Sequence, residues 1–163
     1  MKFPDYKLKL LYIVKKLGEV RGRKKFQKLV FLSKLEKWDV FPFRFIIYFN
    51  GPYSHELRDV IDDLVINGYL SERPESYRIN PYDYEDRLIY IYTLRKKGLS
   101  MLEKYPVKDR EVLDVVLKRY GNKNGEDLEK ISLEILGVKK KSEVFEMDVE
   151  DIIKSRRSLF SVS

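Results

Sequence analysis

The chain of 163 residues carries 33 Lys and Arg residues against 26 Asp and Glu residues, a formal net charge of +7, and 44% of it is hydrophobic. This composition excludes a disordered chain and suits one sizeable core, or one core with an appendage. With no cysteine, disulfides, thiol nucleophiles and thiolate metal sites are excluded. No apolar run approaches the roughly 20 residues that span a bilayer, and no secretory signal is recognisable, so we expect a cytoplasmic protein without a membrane partner.

The charge is unevenly distributed along the chain. Residues 1–50 contain 13 Lys and Arg residues against 4 Asp and Glu residues, whereas residues 51–90 contain 4 against 9. A basic N-terminal block could bind a polyanion such as nucleic acid. A Lys-rich solvent-exposed surface would have the same composition, and charge alone does not separate the two.

Two helices joined by a short strand are predicted for the first forty residues. Asp5 is a candidate cap of the first helix, which Gly18 would end. Its apolar positions recur at helical spacing: Leu8, Leu11, Val14 and Leu17. Residues 19–22 could form a brief strand, and a second helix is expected over residues 23–38, with Phe26, Leu29 and Val30 buried.

Basic side chains crowd the start of the second helix: Arg21, Arg23, Lys24, Lys25 and Lys28. Cations at a helix N-terminus oppose the helix dipole. Either these charges serve an outside partner or they form a solvated helix end, and the sequence favours neither.

The central stretch predicts a strand, a turn and a capped helix. Large apolar residues recur at every second position over residues 43–49, which is typical of a strand: Phe43, Phe45, Ile47 and Phe49. Residues 50–52, Asn-Gly-Pro, predict a turn that ends the strand. Ser54 is a natural N-cap for a helix over residues 54–67, and Gly68 would end it before a new extended run.

Beyond residue 70 the pattern predicts a two-stranded ribbon followed by helices. Strands are expected near residues 77–79 and over residues 88–92, separated by a polar turn at 80–86. Thr93, Asp109 and Asn124 are candidate caps of three helices, and a weaker last helix is expected over residues 142–156.

This order of elements predicts an α+β fold, a winged helix-turn-helix domain over residues 1–105 with a small antiparallel sheet. Residues 106–157 would form a helical extension, and residues 158–163 a frayed tail. The extension could make a homodimer or cap the core of the same monomer, and we favour dimerisation.

Two local motifs resemble known families. The run YTLRKKG at residues 92–98, with Leu102 after it, is similar to the Y-x-L-T-x-K-G-x-x-x-L segment that closes the wing of many bacterial and archaeal regulators, except that Arg95 replaces Thr. KFQKLVFL at residues 25–32 followed by YFNGPY at residues 48–53 resembles Panacea (SocA-like) antitoxin domains and related archaeal proteins. Together the resemblances cover roughly residues 20–105 and imply either transcription regulation or binding of a toxin or adaptor.

In a winged helix the third helix reads the major groove, yet here its exposed positions are largely acidic: Glu56, Asp59, Asp62 and Asp63. We therefore expect DNA to be held by its first turn and by the basic residues that flank it. The predicted DNA-binding residues are Arg21, Arg23, Lys24, Lys25, Lys28, Tyr53, Ser54, His55, Arg58, Arg95, Lys96 and Lys97.

Catalytic and metal sites are not expected. His55 is the only histidine; a salt bridge with Asp59 suits it better than a metal. No nucleophile triad or phosphate-binding loop is recognisable, so we predict neither enzyme activity nor a cofactor.

The sequence thus predicts a prokaryotic, dimeric transcriptional regulator that binds duplex DNA. The alternative is a protein-interaction module, antitoxin- or adaptor-like, whose acidic third helix binds a basic protein partner.

Overall fold

The computed structural model describes residues 3–48, 51–78, 80–82, 87–138, 147–151 and 153. The α-helices are α1 (Asp5–Leu17), α2 (Arg23–Glu36), α3 (His55–Ile66), α4 (Lys96–Lys104), α5 (Arg110–Tyr120) and α6 (Gly125–Leu136). The strands are β1 (Glu19–Arg21), β2 (Ile46–Tyr48), β3 (Gly51–Tyr53), β4 (Leu70–Tyr77), β5 (Arg87–Leu94) and β6 (Met147–Asp148). The fold is therefore α+β.

Two small antiparallel sheets flank the helices. The first has the strand order β1-β5-β4, and its long member is the β4–β5 ribbon, in register from Leu70 opposite Leu94 to Tyr77 opposite Arg87. The second has the order β3-β2-β6, with Ile47 opposite Pro52 on one side and Met147 on the other. The ribbon projects from the core, because Tyr77 and Leu88 at its far end are exposed.

The helices after Pro106 share one hydrophobic core with the N-terminal part. Leu113 of α5 and Leu128 of α6 belong to the same buried cluster as Leu10 of α1 and Leu29 of α2. Within the described residues, α5 and α6 thus cover α2 of their own chain. This arrangement corresponds to the second possibility in the sequence analysis, that the extension caps the core of the same monomer.

Several helix ends lie where the sequence predicts them. The Ser54 hydroxyl accepts a hydrogen bond from the Leu57 amide at 3.1 Å and caps α3. The Asn124 side chain accepts one from the Asp127 amide at 2.9 Å and caps α6. Gly18, Gly68 and Gly137 follow α1, α3 and α6 with positive φ.

Two predicted caps are wrong, and a third, Asp109, is right in position only. Asp5 is the first helical residue of α1, after Pro4. Thr93 lies in β5, and α4 begins only at Lys96. Asp109 precedes α5 with a left-handed backbone (φ 59°) and makes no side-chain cap; its carboxylate instead accepts hydrogen bonds from Lys9 and Lys37.

The predicted turn at Gly51-Pro52 is also wrong. Only Ile46–Tyr48 of the expected strand 43–49 pairs as a strand, and Gly51–Tyr53 forms its antiparallel partner β3. Proline is tolerated there because β3 lies at the edge of its sheet, where a missing amide donor breaks no ladder on the open side. Phe49 and Asn50 lie outside the described residues.

Other boundaries differ from the predictions. Helix α2 ends at Glu36 and a 3-10 turn, Trp38–Val40, follows. Strand β4 spans eight residues instead of three. Met147–Asp148, inside the predicted last helix, form the strand β6, which pairs with β2. The predicted turn at 83–86, the lysines at 139–141 and the tail at 158–163 lie outside the described residues.

Candidate nucleic-acid interface

The start of α3 is fixed against α2 by a reciprocal pair of hydrogen bonds. The Gln27 side-chain amide donates to the Ser54 carbonyl at 2.8 Å, and the Ser54 backbone amide donates to Gln27 Oε1 at 2.9 Å. All four atoms are buried. A small groove of about 110 Å³ lies at the surface between the two helices, and Gln27 is one of its lining residues. The α2–α3 groove is lined by Arg23, Gln27, Tyr53, Arg58, Ile61, Asp62 and Tyr92.

Arg58 is the exposed cation on the α3 side of the groove. Its guanidinium donates to the Tyr53 hydroxyl at 3.4 Å and lies 4.0 Å from the Asp62 carboxylate. The His55 ring, exposed at the start of α3, contacts the Tyr53 ring edge-on with centroids 5.0 Å apart. The first turn of α3 therefore presents one arginine and two rings that can donate hydrogen bonds.

Arg23 is the cation on the α2 side, and its orientation is fixed. The guanidinium lies 3.9 Å from the centre of the Tyr90 ring, donates to the Tyr92 hydroxyl at 3.4 Å and lies 3.6 Å from Glu72. The Tyr92 hydroxyl donates to Glu72 at 2.6 Å, and burial raises the pKa of Tyr92 above its usual value. A cation oriented in this way loses little side-chain entropy when it binds an anion.

A larger cleft opens on the other side of Arg23. It has a volume of about 670 Å³ and lies between the first turn of α2, the loop before α6 and the far half of the β4–β5 ribbon. The basic cleft is lined by Arg21, Gly22, Arg23, Lys24, Lys25, Tyr77, Leu88, Ile89, Tyr90, Asn122, Lys123, Asn124, Gly125 and Glu126. Its floor is tight: a Cβ on Gly125 would lie 3.2 Å from the Lys24 side chain and from the Lys25 amide nitrogen.

Two predicted DNA-binding residues are buried. Lys28 is only 1% exposed, and its ammonium donates to the Pro52 carbonyl at 2.8 Å. Burial lowers the pKa of Lys28 to about 7, although the nearby Glu129 carboxylate opposes the shift. Ser54 is fully buried and caps α3. Neither side chain reaches the surface, which corrects the expectation that they face DNA.

The predicted basic residues of α4 are separated from the groove. Arg95, Lys96 and Lys97 are exposed, but Lys97 donates to the Asn67 carbonyl at 2.8 Å, at the end of α3 opposite the groove. Because α3 has 12 residues, its two ends lie about 18 Å apart at 1.5 Å per residue. The twelve predicted residues therefore do not form one surface. They lie in or beside the α2–α3 groove at the start of α3, in the basic cleft, in the interior, and on the distant α4 patch.

Sequence reasoning missed the part that β5 contributes. Tyr90 and Tyr92 are not among the predicted site residues, yet both contact Arg23. Their spacing of two residues puts them on one face of a strand. This spacing could have indicated that the two rings act together in one site. Lys123, which lines the basic cleft, carried no comparable signal.

Among the described residues no group of three or more His, Asp or Glu side chains could hold a metal ion. In the same part of the chain, no helix is both long and apolar enough to cross a membrane.

Comparison with known proteins adds one partial similarity. No known family model matches the sequence. The chain is 39% identical over 69 residues to a protein of Bacillus subtilis (strain 168) named "Uncharacterized protein YwgA". The matched segment covers 41% of this chain and 40% of that relative's length, so the similarities to winged-helix regulators and Panacea domains stay predictions.

Proposed function

We propose that the protein is a winged-helix DNA-binding protein, a prokaryotic transcriptional regulator that works in the cytoplasm. The order α1-β1-α2-α3-β4-β5, with β1 added to the β4–β5 ribbon in one sheet, supports this assignment. In a winged helix the third helix enters the major groove, and the ribbon is the wing. Here β2 and β3 are inserted between α2 and α3.

The observation that carries the proposal is the convergence of Arg23 and Arg58 on the groove at the start of α3. Arginine is suited to both tasks of a DNA contact, since its planar fork binds phosphate or the acceptor edge of guanine. The later turns of α3 carry Asp59 and Asp62 on the outside, which would repel phosphates. DNA would therefore approach the N-terminal turn of α3 with the helix axis tilted away from the duplex.

Duplex binding across a salt series tests the proposal. Each phosphate contact contributes a slope of about −0.9 to the dependence of log K on log salt. The double variant Arg23→Ala, Arg58→Ala should bind more weakly and flatten the slope by about 1 to 2.

The matched control is Lys108→Ala. Lys108 is an exposed cation that pairs with Asp5 at 3.2 Å, at the N-terminal end of α1, and its removal should leave the slope unchanged. If wild-type protein does not bind duplex DNA at low salt, or if the double variant behaves like the control, the proposed interface is wrong.

A homodimer would place two such helices at spaced half-sites. Because α5 and α6 already cover α2, a dimer formed through these helices would use their outer faces, where Val115 and Ile135 are exposed. A light-scattering mass of twice 19.6 kDa would support the dimer, and a monomer mass would refute it.

One observation favours the alternative, a protein-interaction module. Ile66 near the end of α3 is 82% exposed, and Asp59, Asp62 and Asp63 lie on the same helix. An apolar side chain on an acidic helix suits a basic amphipathic partner helix. A synthetic basic amphipathic peptide should then shift the NMR signals of α3, and Ile66→Ser should abolish the shift; no shift in the wild type would exclude this mode.

A further inference from the structure

We propose that the basic cleft binds a small phosphate-bearing ligand with an apolar or aromatic part, of the size of a nucleoside diphosphate. This ligand site shares Arg23 with the α2–α3 groove, but its other lining residues are separate and it does not depend on DNA binding.

The cleft has the size and the mixed character of a ligand site. Its volume of about 670 Å³ lies within the range of about 300–1,000 Å³ typical of small-molecule pockets. One wall is apolar and comes from the ribbon: Tyr77, Leu88, Ile89 and Tyr90. Leu88 is 57% exposed and Tyr77 43%, so two large side chains border an open cavity without being covered by the fold.

The opposite wall holds more positive charge than the fold neutralises. Arg21, Arg23 and Lys24 each lie within 4.0 Å of a carboxylate. For Lys25 and Lys123, by contrast, no carboxylate lies that close among the described residues. The Lys25 ammonium donates to the Gly121 carbonyl at 2.6 Å, so a neutral dipole is its partner.

The surroundings of Lys25 favour an anion. Its partial burial and the nearby Arg21 lower the pKa of Lys25, and the Glu19 carboxylate opposes this shift only in part. A phosphate beside Lys25 and Lys123 would supply the missing negative charge. The first turn of α2 adds no opposing charge, because it contains no acidic residue.

The ion pair between Lys24 and Glu126 does not close the cleft. The two groups lie 2.6 Å apart, but the Glu126 side chain is 62% exposed. Exposed pairs of this kind contribute little free energy and rearrange readily. Lys24 also lies 3.5 Å from the buried Glu129 carboxylate, which keeps its side chain in place, so the proposed phosphate contacts fall to Lys25 and Lys123.

Isothermal titration at low salt, without DNA, tests the proposal with three probes: ADP, pyrophosphate and adenosine. ADP should bind most tightly, because it alone uses both walls. Lys25→Ala should weaken both ADP and pyrophosphate by about 10-fold, as expected for loss of a charge-assisted hydrogen bond. Leu88→Ser should weaken ADP and leave pyrophosphate unchanged.

Lys108→Ala, outside the cleft, is the control and should bind all three probes as the wild type does. If Lys25→Ala does not fold by circular dichroism, Lys123→Ala replaces it with the same expectation. The proposal is overturned if neither ADP nor pyrophosphate binds at millimolar concentration, or if the cleft variants match the control. Because no DNA is present, this outcome is separate from the test of duplex binding.

Discussion

The two sides of α2 carry the same kinds of side chain and use them differently. Towards the interior, Gln27 and Lys28 bond to backbone atoms of Ser54 and Pro52. At the exposed N-terminal end, Arg21 and Arg23 pair with carboxylates of β4, Glu75 and Glu72. The buried set holds the chain between α2 and α3 in place, whereas the exposed set forms ion pairs at the surface.

Three lysines share the interior role. Lys9 donates to the Val40 carbonyl at 2.7 Å, Lys34 to the Phe41 carbonyl at 3.0 Å and Lys28 to the Pro52 carbonyl at 2.8 Å. Each acceptor belongs to the segment between α2 and α3, where little regular structure exists to pair its carbonyls. The lysines supply the donors that a helix or a wide sheet would otherwise provide.

The largest effect should follow from truncating Gln27 on the interior side. Gln27→Ala leaves the buried Ser54 amide without an acceptor and opens a cavity, so we expect a loss of roughly 2–4 kcal/mol in the free energy of unfolding. Urea denaturation measures it. Asn122→Ala also removes a side-chain amide, but an exposed one, and should change the free energy of unfolding little. Equal losses of stability in the two variants would contradict the difference between the buried and exposed sides of α2.

Lys28 should make stability depend on pH. Burial lowers the pKa of Lys28 from 10.5 to about 7. Between pH 7 and pH 10.5, Lys28 is therefore protonated in the unfolded chain but largely deprotonated in the folded protein. Wild-type stability should therefore rise from pH 7 to pH 10, by at most about 1.4 kcal/mol per pH unit.

The variant Lys28→Met should lack this rise, because it has no titratable group. Urea midpoints at several pH values measure the difference, with Lys108→Met as an exposed control that keeps the wild-type slope. Parallel profiles for wild type and Lys28→Met would show that Lys28 stays charged in the interior.

A smaller loss is expected at the cap of α3. Ser54→Ala removes the acceptor of the Leu57 amide and should cost about 1 kcal/mol, as is usual for an N-cap. Ser54→Asp restores an acceptor, but its larger charged side chain must fit a fully buried position. We expect Ser54→Ala to be the more stable of the two by urea denaturation, and the reverse order would mean that the cap is open to water.

The smallest effect should come from the exposed side. Arg21 pairs with Glu75 at 2.8 Å, and both side chains are well exposed. Arg21→Ala should leave the urea midpoint within error, because exposed ion pairs contribute little. A loss as large as that of Ser54→Ala would mean that the two sides of α2 do not differ as described.

Much of the local structure could be predicted, since it depends on neighbours in the sequence. The periodicity of α1, the brief strand β1 and the caps Ser54 and Asn124 are confirmed. The errors share a cause. Asp109 and Thr93 are sound local caps, but tertiary partners fixed their positions: Lys9 and Lys37 for Asp109, and strand pairing opposite Glu19 and Ser71 for Thr93.

The candidate site could be predicted only in part. The sequence identified Arg23 and Arg58 but gave equal weight to Lys28 and to the distant α4 patch. A lysine is apolar along most of its length, so a basic helix end does not reveal which of its cations is buried. Lys28 is buried because β3 and α6 cover it, and neither lies near it in the chain.

The sequence by itself determined the helices, their order and the basic character of the N-terminal block, because spacing, capping and charge are local properties. Only the tertiary structure decided which cations are buried and which line an open cleft. The same ammonium group holds a buried carbonyl at Lys28 and borders an open cleft at Lys25. Their different roles depend on the distant chain segments that pack against each side of α2.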